Sequence, residues 1–314
     1  MKMRIALAAL CAVMTFVGVI AAQQDEPRQQ VRTVTIPISI FTKKELRQSQ
    51  PEEFVQLDRL IVHEDNQEQQ IVSIRSVNTT ALSIAIVIQD DLTSSFNLQL
   101  RDIRDFIEGL PPGTRVMTAY SRSGTIEVRQ RFTDDLTLAA KSLRAVSGSP
   151  TMGPRSPFDG VQEVSSRFDA VPAGRRAILL FSDGLDSSEG LNLASIAQSL
   201  SLQQAILKAQ RRSIAVYSFY GPTRLTESGK SIFVLAAQGA LAKLSDETGG
   251  RAFFQGSTAP VSYLPFFSEL VMALNRQFAL TYVSTHMKKG YHKVRVTSTN
   301  PEIKIEHPRG YYYR

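Results

Sequence analysis

The spacing of hydrophobic positions changes twice along the chain. From Val31 to Phe41 (VRTVTIPISIF) β-branched residues fall at alternate positions, the period of a strand. FVQLDRLIVHEDNQEQQIVSIRSV, beginning at Phe54, reads as two more strands joined by a polar turn at Asp65 and Asn66, residue types that tolerate turn backbone angles. No convincing helical period precedes Asn78, so the leading part is predicted to be all-β.

From Leu82 apolar runs alternate with helical segments, which implies βαβ crossovers and a mostly parallel sheet. LSIAIVI lacks alternation, as expected of a strand covered on both faces. Phe96, Leu100, Ile103, Ile107 and Leu110 form one helical stripe, stopped by PPGT. Strands RVMTAYS and TIEVRQRF follow, then a helix in LTLAAKSLRAV and a Gly/Ser/Pro-rich loop, SGSPTMGPRSPFDG. Further on come a helix from Val161 to Phe168, the buried strand RAILLFSDG and a helix from Leu193 to Gln210. The strand SIAVYSFY, the helix LAAQGALAKLSDETGG, the short strand RAFF and a helix from near Pro265 into FALTYVST complete this part. The last thirty residues (YHKVRVTS, EIKIEH, GYYYR) return to a β pattern. The predicted organisation is a leader over 1–22, a β segment over 23–78, an α/β domain over 79–285 and a β segment over 286–314 packed with 23–78.

Composition supports a folded chain: of 314 residues, 43% are hydrophobic and 21% charged. Lys2 and Arg4 precede IALAALCAVMTFVGVIAA, which ends in small residues at Ala21 and Ala22. That is the layout of a secretory signal, and QQDEPRQQ follows it with no basic stop-transfer cluster. The expectation is a secreted or periplasmic protein with no membrane span in its mature chain. Cys11 is the only cysteine and lies in this leader, so no disulfide or thiolate is available afterwards. The 36 basic and 29 acidic residues are dispersed apart from MKKGYHKVRV, so no nucleic-acid stripe stands out.

Ligands of open parallel sheets gather beyond the carboxyl ends of the strands. Three polar loops fall there or on adjoining connections: DDLTSS with Asp91, Thr93 and Ser95; SPTMGPRSPFD with Thr151 and Ser156; and FSDG with Asp183. Carboxylates and hydroxyls without His or Cys suit a hard cation such as Mg²⁺. The competing reading of DDLTSS is helix capping by Ser94 or Ser95. Asp186, Ser187 and Ser188 read as a solvated loop and cap, and His63, His286, His292 and His307 as surface residues of the β ends. SRSG reads as a hairpin turn, and no phosphate loop, dinucleotide glycine pattern or serine-hydrolase elbow is present. An enzyme using the cation to activate water ranks below a binding module, because no general base other than Asp90 stands near the loops, and no enzyme is expected.

Asp91-Leu-Thr93-Ser-Ser95 resembles the D-x-S-x-S signature of the von Willebrand factor type A domain, and RAILLFSDGLD resembles the later strand that carries its second aspartate. GTRVMTAYSRSGTIEVRQRFTDD and LAKLSDETGGRAFF are similar to such domains too, and the flanks are similar to the bacterial VWFA-related family first described from acidobacteria. The likeness extends over nearly the whole mature chain. It implies a Rossmann-like, doubly wound, mostly parallel sheet. It also implies a metal-ion-dependent adhesion site of Asp91, Thr93, Ser95, Ser156 and Asp183 holding Mg²⁺, or Mn²⁺ or Ca²⁺. A protein partner would supply an Asp or Glu to the ion. The alternative is a metal-free interaction scaffold with a degenerate site. Thr93 replaces the usual first serine, and Asp90 is an acid where the family has an apolar residue. The family's second-loop Thr stands four residues before an Asp that opens the next helix; four before Asp159 stands Arg155, which cannot ligate a metal, so a one-residue shift nominates Ser156 and a looser loop Thr151.

Overall fold

The computed structural model describes residues 31–42, 60–77, 80–149, 155–172, 174–188, 190, 199–227 and 231–313. They belong to one compact unit, Val31–Arg314; the leader expected over 1–22 lies outside the described residues. The strands are β1 (Arg32–Thr42), β2 (Leu60–Glu64), β3 (Gln67–Ser76), β4 (Leu82–Gln89), β5 (Arg115–Arg122), β6 (Thr125–Thr133) and β7 (Arg175–Ser182). After them come β8 (Ile214–Tyr220), β9 (Ala252–Phe253), β10 (Gln277–Ser284), β11 (Gly290–Ser298), β12 (Ile303–Glu306) and β13 (Gly310–Tyr313). The principal helices are α1 (Leu100–Glu108), α2 (Leu136–Lys141), α3 (Pro157–Arg167), α4 (Leu200–Arg211), α5 (Ser231–Thr248) and α6 (Leu264–Asn275).

One sheet has the order β6-β5-β4-β7-β8-β9. All its pairings are parallel except β5 with β6. Counted from β4 as the first strand, the order is 3-2-1-4-5-6, that of a doubly wound sheet, and the winding reverses between β4 and β7. A crevice therefore opens where the loops after these two strands part. Every residue of β4 is buried, which explains its lack of alternation. Ile84, Ile86 and Ile88 pack with Leu100, Ile103 and Leu270 on one face. Ala85 and Val87 pack with Val161, Leu202 and Leu241 on the other. The predicted stripe from Phe96 to Leu110 is buried, but its first turn, Ser94–Gln99, is a 3-10 helix. Helix α3 starts at Pro157, four residues ahead of the prediction, because Ser156 caps it and Pro157 fits the first helical position.

The second sheet has the order β12-β1-β10-β3-β2-β11-β13 and is antiparallel throughout. Its strands lie before Val77 and after Arg276 in the chain. β10, assigned by the sequence boundary at 285 to the α/β part, pairs with β1 on one side and β3 on the other. Its burial alternates, unlike that of β4, because only one face of this sheet is fully covered. The β2–β3 turn is the expected one: Asp65 and Asn66 have φ of 48° and 69°, the geometry of a two-residue hairpin turn that matches strand twist.

All seven strands send side chains to one cluster, including Ile36, Val62, Leu280 and Val296, with Ile71, Ile303 and Tyr311 packed against it. The sheet curls around that cluster. In a flat sheet β1 and β13 would stand roughly 24 Å apart, five strand spacings; here Arg32 of β1 donates to the Tyr311 hydroxyl of β13. The two sheets are tied by Arg251, whose guanidinium lies 2.6 Å from Glu306 of β12 and 2.8 Å from Glu269 of α6.

Candidate site at the crevice between β4 and β7

Asp91 follows β4 and Asp183 follows β7, so the reversal of winding brings the two predicted carboxylates to one crevice, both buried. Between them lies a guanidinium. Arg155, only 8% exposed, reaches in from the loop before α3. Its Nη1 donates to Asp91 Oδ2, and its Nη2 donates to Asp183 Oδ2 at 2.8 Å. Thr223 also donates to Asp183 Oδ2, at 2.8 Å. The remaining carboxylate oxygens have donors too. Gln89 Nε2 donates to Asp91 Oδ1 at 2.9 Å, and the Leu185 amide donates to Asp183 Oδ1 at 3.1 Å. Gln89 Oε1 in turn accepts from Ser182 and from the Asp183 amide, so one buried amide side chain locks the two loops together.

Gly184 permits the turn that presents Asp183. Its φ is +72°, and a Cβ there would come within 2.6 Å of the Ala237 carbonyl.

The other predicted ligands sit around this pair, not on it. Thr93 is buried and its Oγ1 lies 2.8 Å from Ser95 Oγ; Ser95 is exposed. The 3-10 turn that follows has no side-chain cap, so the competing reading of these hydroxyls as a helix cap does not hold. Ser156 Oγ donates to Asp186 Oδ2 at 2.8 Å and accepts from the Phe158 amide as the cap of α3. The residue that reaches the carboxylates is Arg155, one position earlier. Thr151 lies outside the described residues.

With every carboxylate oxygen engaged by a protein donor and Ser156 turned to Asp186, the set as arranged does not fit a divalent ion. It holds a guanidinium instead, and two carboxylates with one guanidinium leave a net charge of −1.

Two acids outside the pair are also buried, one against its sequence reading. Asp186 is buried rather than solvated, and accepts from Ser188, Ser156 and Ser199. Asp90 is buried too, 2.6 Å from Arg144 Nη1 and 3.5 Å from Arg122. The Asp90 hydrogen bond holds the Arg144 guanidinium above its ordinary range, and Arg144 holds the Glu127 carboxyl below its own. Arg144 also lies over the Tyr120 ring, 4.1 Å from its centroid. The acid in the family's apolar position is thus neutralised by a cation on a neighbouring loop.

A second group of ligand-type side chains stands in the curled sheet. Glu64, Asp65 and His292 offer donor atoms all within 4.8 Å of one another, so they could hold a metal ion. His292 is buried, not at the surface as expected. The missed signal was its phase: in YHKVRV it alternates with Val294 and Val296, whose side chains fill the core.

No family model and no curated protein matches the chain. Similar solved structures include a von Willebrand factor type A protein from Catenulispora acidiphila, 10% identical, covering 90% of this chain and 73% of its own, with a TM-score of 0.41. BatB from Bacteroides thetaiotaomicron is 14% identical over 62% of this chain and 98% of its own, with a TM-score of 0.43. The minor pilin PilB from Streptococcus sanguinis is 11% identical over 63% of this chain and 62% of its own, with a TM-score of 0.46. The family that the motifs resemble is therefore present among the similar structures.

Proposed function

We propose that this chain is an exported protein-interaction module whose binding rim is organised without a metal ion. The observation that carries the reading is Arg155 bridging Asp91 and Asp183. Two buried carboxylates facing one crevice require a compensating cation. A guanidinium supplies it through a planar fork of donors that suits carboxylates, and it remains charged at all accessible pH. It also ties three loops, after β4, after β7 and before α3, into one fixed arrangement.

With a net charge of −1 the crevice does not attract a partner's acid, so contact falls to the rim. There Leu98 is 79% and Val261 is 93% exposed. Gln99, next to Leu98, donates to the carbonyls of Pro260 and Val261 and holds the two segments together. Export rests on the basic, apolar and small-residue succession of the first 22 residues. No helix of the described residues is long and apolar enough to cross a membrane. The reading includes no catalysis, since Asp90, the acid nearest to a general base, is held by Arg144.

A second reading has Mg²⁺ displacing Arg155 and then recruiting a partner's Asp or Glu. The adjacent hydroxyls of Thr93 and Ser95 favour it, since they follow Asp91 at ligand spacing. Calorimetric titration with Mg²⁺ and Mn²⁺ separates the two. Wild type and Asp91→Asn are expected to give the same heat at millimolar metal. Binding by wild type that disappears in Asp91→Asn would establish the metal-dependent reading in place of the first.

A further inference from the structure

The cluster at the open end of the curled sheet contains a mismatch of donors and acceptors. Glu64 is fully buried at the end of β2, on the same face as Val62. Its Oε1 accepts from the Tyr311 hydroxyl at 2.6 Å and from Ser284 Oγ at 2.9 Å, while its Oε2 has no partner. A buried carboxylate needs a cation or several donors. The nearest guanidinium is Arg32, at 3.6 Å from Oε1, beyond hydrogen-bond reach. Arg32 spends its donors on the Tyr311 hydroxyl and the His286 carbonyl, and its guanidinium lies 3.9 Å from the centroid of the Tyr313 ring.

His292 sharpens the mismatch. Its Nε2 lies 2.6 Å from the Lys288 carbonyl, which can only accept, so this nitrogen carries the proton. In the neutral ring Nδ1 is then a bare acceptor. Yet Nδ1 faces two acceptors, Asp65 Oδ2 at 2.8 Å and Glu64 Oε1 at 3.4 Å. A proton or a metal ion has to stand there.

Three features favour the ion. First, a metal-bound His characteristically donates its other N–H to a carbonyl or carboxylate, and the Lys288 carbonyl fills that role. Second, Glu64 Oε2 is a buried atom without a partner, on a ligand-type side chain of this group. Third, tetrahedral zinc with bonds of about 2.0–2.1 Å sets its ligand atoms roughly 3.3 Å apart. The Glu64–His292 separation of 3.4 Å is close to that spacing.

We propose that Glu64, Asp65 and His292 bind a divalent transition-metal ion of the zinc type, with a solvent molecule as the fourth ligand. An imidazole nitrogen with carboxylates suits zinc rather than the hard cations of an all-oxygen site. Asp65 is partly exposed and gives the ion a route in from solvent. Its Oδ1 accepts from the Lys293 amide at 2.8 Å, which holds Oδ2 toward the site. The ion would join β2, its turn and β11 at the end of the curl. This site is independent of the crevice at Asp91 and of any partner bound there.

The test is a ZnCl₂ titration of the metal-stripped mature chain by calorimetry, with Co²⁺ absorption as a report on geometry. One Zn²⁺ per chain, a tetrahedral Co²⁺ spectrum and a rise in melting temperature with Zn²⁺ are expected. Asp65→Asn should weaken Zn²⁺ binding at least ~10-fold. It leaves the fold intact, because Asn accepts the left-handed turn backbone as readily as Asp. His292→Gln should abolish binding, and Asp91→Asn should leave it unchanged. Absence of Zn²⁺ binding by wild type at micromolar metal, or equal binding by wild type and Asp65→Asn, overturns the proposal.

Discussion

Arg155 makes a removable charge the keystone of the crevice. Replacing it with Met leaves Asp91 and Asp183 buried without their cation, and removal of one partner from a buried pair costs about 3–5 kcal/mol. Denaturant unfolding of Arg155→Met in chelator should show a loss of that size, and millimolar Mg²⁺ should recover part of it if the freed oxygens then accept a cation. Both carboxylates and their crevice were legible in DDLTSS and FSDG, because a strand end followed by an acid and a turn residue has few alternatives. Arg155 was legible only as a departure from the expected hydroxyl. Residue type says that it cannot ligate a metal; it does not say that it can replace one.

At the same scale, burial lowers the His307 affinity for protons, although its bond to the Pro308 carbonyl opposes this. Its Nε2 accepts from the Val296 amide, so the folded state keeps the ring neutral. The unfolded chain binds the proton more readily, so stability falls as pH drops through the ordinary histidine value of 6.5. Urea unfolding of wild type and His307→Gln between neutral and mildly acidic pH should diverge on this side, by no more than about 1.4 kcal/mol per pH unit.

Among the elements, α3 and α4 share a device that spacing alone could not reveal. Ser156 caps one and Ser199 the other, and both hydroxyls donate to the same Asp186 oxygen. A hydroxyl whose proton is taken by a carboxylate keeps its lone pairs aimed at the helix amides. Asp186→Ala therefore loosens two caps at once, and with about 1 kcal/mol for each the expected destabilisation is about 2 kcal/mol. A single Ser199→Ala change should give about half of it in the same denaturant series. Helix positions were readable from their apolar stripes, as with Phe96 to Leu110. Their starts were not, because α3 begins in a Pro/Ser-rich stretch that reads as loop until its cap is seen.

For the whole molecule, the coupling between the two sheets rests in part on Arg251. Burial opposes its charge, but Glu306 and Glu269 more than offset this and hold the guanidinium above its ordinary range. Arg251→Met should cost about 3 kcal/mol, as expected for a buried cation shared by two acids. Scanning calorimetry is the direct check: a single transition in wild type should broaden or split if the sheets melt separately without this link. The parallel sheet was legible because strands covered on both faces have an apolar signature over their whole length. The curl of the other sheet was not, since alternation records that one face is buried but not how far the sheet bends.

That second sheet also sets an order of assembly. β1 pairs with β10 and β12, strands more than two hundred residues later in the chain, so no early strand finds its full set of neighbours until the last segments are available. The six strands of the other sheet, β4 to β9, are sequentially closer and can pair first. Long-range closure is slow, and it leaves the pairing edges of β1 open in the interval. A chain released from its N-terminus onward completes this sheet only once β10, β11 and β12 have followed, so the closed curl marks a molecule in which both outer segments have met.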